Sequence, residues 1–268
     1  RRQQRVGRRL PITSPITGSI PASIAKPMPE HSEPFAAINW ETGDTPVSAQ
    51  FDDPYFARQD GRAETRHVFL AGNGLPQRWQ PRPQFTVAEL GFGTGLNFFE
   101  TLAAWRRAPG QCRHLTFVTF ERFPLSRNDL ARALAPWPDL NAPVRQLLDQ
   151  WPPAPGTALH TVAFAGATLE IHLGDANDAV PAWAGRADAW YLDGFSPAKN
   201  PELWCPQLMT AVFEHTAAGG TLATYTAAGH VRRGLSSAGF QVSRIPGYGR
   251  KRDSLAGYRP VIVDADGL

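Results

Sequence analysis

The residues best suited to chemistry lie in three runs, each following an apolar stretch. The first is Glu89-Leu-Gly-Phe-Gly-Thr-Gly95-Leu-Asn97. Three alternating glycines, Gly91, Gly93 and Gly95, let a backbone turn sharply and approach a ligand that any Cβ would push away. A dinucleotide fingerprint needs its third glycine three residues after the second, and Leu96 stands at that place. Glu89 is also unfavourable beside a pyrophosphate, whereas a carboxylate suits a cofactor carrying a sulfonium and an amino-acid arm. The run therefore reads as an S-adenosylmethionine loop, against an NAD-linked oxidoreductase or a purely structural turn. The second run supplies acids at later strand ends. Glu121 closes Leu115–Phe120, where a carboxylate can accept both ribose hydroxyls, and Asp175 follows Leu173-Gly, suited to an adenine edge. Either alone also reads as a surface acid or a helix cap; their order favours the cofactor. In the third run, Trp190–Trp204, Asp193 leaves an apolar strand and Phe195 offers a wall for a planar base. An acid beside an aromatic is how amine and nucleobase N-methyltransferases grip a nucleophile. The alternative is a capping aspartate.

Those runs need a scaffold that brings strand ends together. From Phe85 onward the chain alternates apolar strands with helical stretches. Strands are expected at Phe85–Leu90, Leu115–Phe120, Leu169–Leu173, Ala189–Leu192, Gly220–Thr224, Gln241–Ile245 and Leu255–Val263. Helices are expected at Leu96–Arg107, Arg127–Ala135, Ala142–Gln150, Pro206–Ala217 and His230–Ala238. Such alternation argues for an α/β fold with a mostly parallel sheet covered on both faces, which binds ligands at the strands' carboxyl ends. Short strands at Ile38–Trp40 and Val47–Phe51, then a helical start over Arg58–Leu70 broken by Gly72-Asn73-Gly74, precede it. The expected division is a disordered leader over residues 1–34, an N-terminal extension over 35–84 packed on the core, and a catalytic domain over 85–264. Prolines at 11, 15, 21, 27 and 29 prevent a long helix in the leader.

Composition excludes several classes. Apolar residues are 42% and charged residues 19% of 268, enough to bury a core. Two cysteines, Cys112 and Cys205, exclude a disulfide framework and a Cys-rich metal site, and fit a reducing cytoplasmic setting. No metal is expected. No apolar run approaches the ~20 residues of a membrane span, so a soluble protein is expected. Charge is uneven: residues 1–30 carry six basic groups and one acid, and residues 230–259 carry seven basic groups and one acid. The rest is acidic. A basic C-terminal patch on an acidic body suits a localised polyanion, or else a solvated face.

Further blocks carry a family resemblance. Glu89–Phe98, Phe120-Glu-Arg-Phe-Pro-Leu125, Leu192–Pro201, Thr221-Leu-Ala-Thr-Tyr-Thr226, Val231-Arg-Arg-Gly-Leu235 and Gly247-Tyr-Gly-Arg-Lys-Arg252 resemble the methyltransferase domain of the tRNA 5-methylaminomethyl-2-thiouridine synthesis proteins, the MnmC and MnmD type. Phe51-Asp-Asp-Pro-Tyr-Phe56, Glu64–Leu70 and Gly72-Asn73 match its N-terminal portion, so the resemblance covers roughly residues 38–259. It implies a Rossmann-like class I methyltransferase with a seven-stranded sheet. The implied reaction methylates the primary amine of 5-aminomethyl-(2-thio)uridine at the tRNA wobble position. A small-molecule amine N-methyltransferase is the rival. With no second glycine fingerprint in these residues, the chain is expected to be the methyltransferase half, alone or fused to a C-terminal oxidase; FAD enters only with such a domain. The implied site has Asp193, Phe195 and Tyr225 as catalytic groups, the two aromatics sandwiching a flipped base. Glu89, Gly91, Gly93, Thr94, Gly95, Asn97, Glu121, Asp175 and Asp193 would bind cofactor. Lys199, Arg232, Arg233, Arg250, Lys251 and Arg252 would hold the anticodon arm, with no protein partner required.

Overall fold

A computed structural model of the chain describes residues 35–261. The leader expected over residues 1–34, and residues 262–264 of the expected catalytic domain, lie outside these described residues. In chain order the elements are β1 (Ile38–Glu41), β2 (Thr45–Ser48), β3 (Asp53–Pro54), α1 (Gly61–Glu64), β4 (Gln84–Leu90), α2 (Leu96–Arg107), β5 (His114–Glu121), α3 (Arg127–Leu134) and α4 (Asn141–Leu148). There follow β6 (Leu159–Phe164), β7 (Ala167–Leu173), α5 (Ala176–Ala182), β8 (Ala187–Leu192), α6 (Pro206–Glu214), β9 (Thr216–Thr224), α7 (Gly229–Ala238), β10 (Gln241–Pro246) and β11 (Asp253–Tyr258).

The main sheet has eight strands in the order β10-β11-β9-β8-β4-β5-β7-β6. The five inner strands, β9 through β7, run parallel, and antiparallel pairs close both edges. Successive side chains of a strand point to opposite faces. Phe117 and Tyr191 accordingly join one apolar cluster with α2, α3 and α4, while Val118 and Trp190 join a second with α5, α6 and α7. Both faces are covered, as the near-continuous apolar strands require.

The sheet corrects the expected count of seven. β6, which sequence periodicity did not reveal, pairs antiparallel with β7 from Leu159↔His172 to Phe164↔Ala167. It is an edge strand with Val162 and Phe164 buried among mostly exposed neighbours, so its apolar signal is thin. The helix expected to reach Ala217 ends at Glu214, because β-branched Thr216 pairs with Ala187 and opens β9. The last strand ends at Tyr258, short of Val263, ahead of Pro260, which has no amide hydrogen to donate. The strand expected over Val47–Phe51 lies earlier, at Thr45–Ser48.

Residues 35–84 share the core of the sheet domain. Asp60 caps α1 by accepting from the Ala63 amide (2.9 Å), and the chain continues through a π-helical stretch, Thr65–Leu70, to Gly74, whose φ is +65°. Val68, Phe69, Leu75 and Trp79 are buried in the same cluster as Phe85 and Phe98. Polar tethers reinforce the apolar contact. Asn73 Nδ2 donates to the Trp190 carbonyl (3.2 Å), and Arg78 donates to the Asp188 and Gly219 carbonyls (both 3.1 Å) and to Thr221 Oγ1 (2.6 Å). No helix among the described residues is long and apolar enough to cross a membrane.

Candidate active site

At the carboxyl ends of β4, β5, β7 and β8 lies a cavity of about 610 Å³. Its glycine run adopts backbone that L side chains avoid: Gly91, Gly93 and Gly95 have φ of +83°, +52° and +75°. Gly91 and Gly93, with Thr94, line the cavity. Gly95 does not. Its role is packing, since a Cβ there would stand 2.6 Å from the Phe92 ring.

Below the loop sits a chain of buried polar groups. Glu89 is fully buried and does not line the cavity, so it offers a ligand no direct contact. It accepts from Asn97 Nδ2 (2.9 Å) and Thr119 Oγ1 (3.0 Å), and burial followed by the nearby Asp193 charge pushes its carboxyl well above the usual range. The second Asn97 amide hydrogen goes to Asp193 Oδ2 (2.7 Å), while Asn97 Oδ1 accepts from Thr65 Oγ1 (2.6 Å). One asparagine thus spaces two carboxylates and fixes the orientation of both. Asp193 also accepts from the Gly194 amide (2.8 Å) and opens onto the cavity. Desolvation, with a contribution from the Glu64 charge, pushes its carboxyl up to about 7, against the lowering effect of those hydrogen bonds and of Lys251.

The other two acids are partly engaged by the protein. Glu121 accepts from the amides of Gly93 (2.9 Å) and Phe123 (2.6 Å), and burial still raises its pKa. Asp175 caps α5, accepting from the Asn177 amide (2.9 Å) and from Arg122 (2.7 Å). The capping alternative is therefore realised, although both residues also line the cavity.

The opposite wall is aromatic. Phe195 stacks on Phe51 (centroids 4.7 Å apart, 24° between planes) and meets the edge of Tyr55 at 5.1 Å. Tyr225 Oη donates to the Gly194 carbonyl (2.9 Å), and the Lys251 ammonium lies 3.9 Å above its ring centroid. One face of Phe195 and one of Tyr225 are thus covered, and a planar base has only their remaining faces. Phe51, Tyr55, Asp53 and Glu64 come from the N-terminal extension. Asp53 accepts from the Ser196 amide (2.8 Å) and pins the loop after Asp193. Sequence reasoning assigned none of these four a role, although three of them sit in the Phe51–Phe56 block.

Of the basic residues singled out from sequence, only Arg250 and Lys251 line the cavity. Arg232 and Arg233 are exposed on α7, and Arg252 is exposed in the β10–β11 turn. Lys199 is committed internally, donating to the Asp52 carbonyl and lying 3.8 Å from Asp53 Oδ1. Lys251 pairs with Glu64 Oε1 at 3.4 Å.

The cavity suits a nucleoside with an amino-acid arm. Its volume is that of a small-molecule site. The acid at the end of β5 keeps lone pairs for a diol, and the positive-φ glycines clear room at the loop. The sheet with its site at the switch point is that of a Rossmann-like methyltransferase. Residues 138–260 match the family described as S-adenosyl-L-methionine-dependent methyltransferase. The chain is similar to the tRNA 5-methylaminomethyl-2-thiouridine biosynthesis bifunctional protein MnmC of Chromohalobacter salexigens, at 44% identity over 88% of this chain and 35% of that protein. It is 47% identical to the protein of the same name from Caulobacter vibrioides, over 82% of this chain and 38% of the other. The chain therefore spans well under half the length of these curated relatives. Among solved structures, MNMC2 from Aquifex aeolicus superposes with a TM-score of 0.66 over 87% of this chain and 74% of that one, at 23% identity, and shares the fold. The resemblance read from the motifs is borne out.

Proposed function

We propose that this chain transfers a methyl group from S-adenosylmethionine to the primary amine of 5-aminomethyl-(2-thio)uridine at the tRNA wobble position, in the cytoplasm. The observation that carries the reading is the placement of Asp193, a carboxylate held between Asn97 and the Gly194 amide on a cavity shared with the glycine loop. The names of the curated relatives support the substrate. Glu121 would hold the ribose hydroxyls and the Gly91–Gly93 backbone the amino-acid arm, while Asp175 and Asn177 face the adenine end. When bound, the cofactor supplies an electrophilic methyl on a sulfonium.

The residues of this chain have three tasks. An alkylamine titrates near the lysine value of ~10.4 and arrives protonated, without a lone pair. Asp193, with its carboxyl near 7, is a proton acceptor that works close to neutral pH. Desolvation that raises the acid also lowers the amine, so the two approach each other inside the cavity. Having passed that proton on to solvent water, the re-ionised Asp193 stabilises the ammonium that forms on methylation. Phe195 and Tyr225 bound the space for an unstacked base. Arg250 and Arg252 would take anticodon-arm phosphates. Residues 35–84 and 85–264 act as one catalytic unit in this reading, because Phe51 and Asp53 hold the loop that carries Phe195.

The test is incubation with labelled methyl donor and tRNA bearing 5-aminomethyluridine, followed by nucleoside digestion. Label in 5-methylaminomethyluridine is the expected result. Label only on free small amines, with tRNA untouched, would replace this reading with the small-molecule rival.

A further inference from the structure

Lys251 occupies a position built for an alkylammonium. Its Nζ stands 3.9 Å over the Tyr225 ring and 3.4 Å from Glu64 Oε1. Both partners are fixed. Glu64 Oε2 accepts from the Ala57 amide (3.0 Å), its side chain is only 15% exposed, and the Tyr225 hydroxyl is tied to the Gly194 carbonyl. The lysine is the loose member: its side chain is 47% exposed, and it projects from the turn between β10 and β11 on a flexible methylene stem. An anionic oxygen and a π face converging on one cation form a receptor for a primary ammonium. Asp193 lines the same cavity and feels the Glu64 charge.

We propose that Glu64 and the Tyr225 ring are the receiving seat for the substrate's ammonium, and that Lys251 is an internal placeholder which the substrate displaces. This rests on the amine-methylating reading above and names the residues that receive the amine before Asp193 takes its proton. The exchange keeps the charge of the seat constant: one primary ammonium leaves and another enters, so Glu64 is never left unpaired in a desolvated site. Displaced Lys251 swings toward Arg250 and Arg252 and adds a positive charge at the cavity mouth. A neutral uridine side chain cannot displace it. The seat therefore selects aminomethyl over unmodified uridine before any chemistry.

The experiment is calorimetric titration of the full chain with 5-aminomethyluridine nucleoside, with uridine as control, on wild type, Lys251→Met, Lys251→Arg and the double variant Lys251→Met/Glu64→Gln. Lys251→Met removes the competing cation but keeps the apolar stem, and should bind the aminomethyl nucleoside about tenfold more tightly than wild type. Lys251→Arg should stay close to wild type, and the double variant should lose the gain. Uridine binding should not respond. Unchanged or weaker binding by Lys251→Met would overturn the placeholder role, as would a double variant that keeps the gain. Because the readout is binding and not turnover, failure of the methylation assay would be seen separately.

Discussion

The two walls of the cavity are assembled over different distances in the chain. On the side proposed for the donor, the glycine run follows directly from β4, Glu121 ends β5, Asp175 follows β7 and Asp193 follows β8. Each is placed by the strand immediately before it. On the side proposed for the substrate, Phe51, Tyr55 and Glu64 from the extension meet Phe195, Tyr225 and Lys251, and the Lys251–Glu64 pair joins residues 187 positions apart. The donor wall is built directly on the parallel sheet. The substrate wall needs the extension as well as the sheet domain to be in place.

The largest expected effect tests whether Asp193 belongs to chemistry. Asp193→Asn should lower the single-turnover methylation rate on the order of 10²–10³, with donor affinity nearly unchanged. In wild type the rate should rise with pH through about 7 as the carboxyl ionises, and this inflection should vanish in the variant. Stability carries the same signature. The native state keeps the Asp193 proton between the ordinary value of 3.8 and about 7, where the unfolded chain has released it. Wild type should therefore lose melting temperature relative to the variant as pH climbs through that window. Parallel pH dependences of melting would remove Asp193 as the titrating group.

A smaller effect probes the donor wall where it meets Tyr55. Gly93→Val places a Cβ 3.1 Å from the Tyr55 ring on backbone with φ of +52°. Donor affinity should fall at least about tenfold while circular dichroism shows the fold retained. Wild-type affinity would mean that the loop is not the donor's seat.

Phe51→Ala addresses the substrate wall. An aromatic stack such as the one on Phe195 contributes about 0.5–1.5 kcal/mol, so KM for tRNA should rise several-fold with the donor dissociation constant untouched. Equal losses at both walls would show that they are not separable. The smallest change concerns the rim. Replacing Arg250 and Arg252 with Ala should flatten the salt dependence of tRNA binding, by up to ~0.9 in the log–log slope for each phosphate left without its arginine. Donor binding should be unaffected.

The contrast between the walls also explains what could be read from sequence. The five parallel strands, the glycine loop and the acids at strand ends follow from local patterns: apolar runs, turn residues and what comes next. Glu89 was legible as an acid beside the loop, but its burial behind Asn97 depends on Thr65 and Thr119, and no spacing rule brings them together. Lys251 looked like one of a basic trio because charge counts cannot see that Glu64 faces it. β6 was hidden because an edge strand buries little. The signal for the substrate wall was present in Phe51–Phe56 and Glu64–Leu70, which carried resemblance without an assigned role.

The tethers from Asn73 and Arg78 to the sheet span 110 to 148 residues of sequence. Contacts of that separation are slow to close, because the chain loses loop entropy before any of them is rewarded. This segment is synthesised well before its partners at Asp188, Gly219 and Thr221, so its tethers close only after those residues have been made. Until then Phe69, Leu75 and Trp79 have no complete sheet to cover, and the nascent chain carries an apolar surface that invites chaperones or self-association. A cavity wall drawn from distant parts of the chain thus leaves a long interval of exposed apolar surface before the fold is complete.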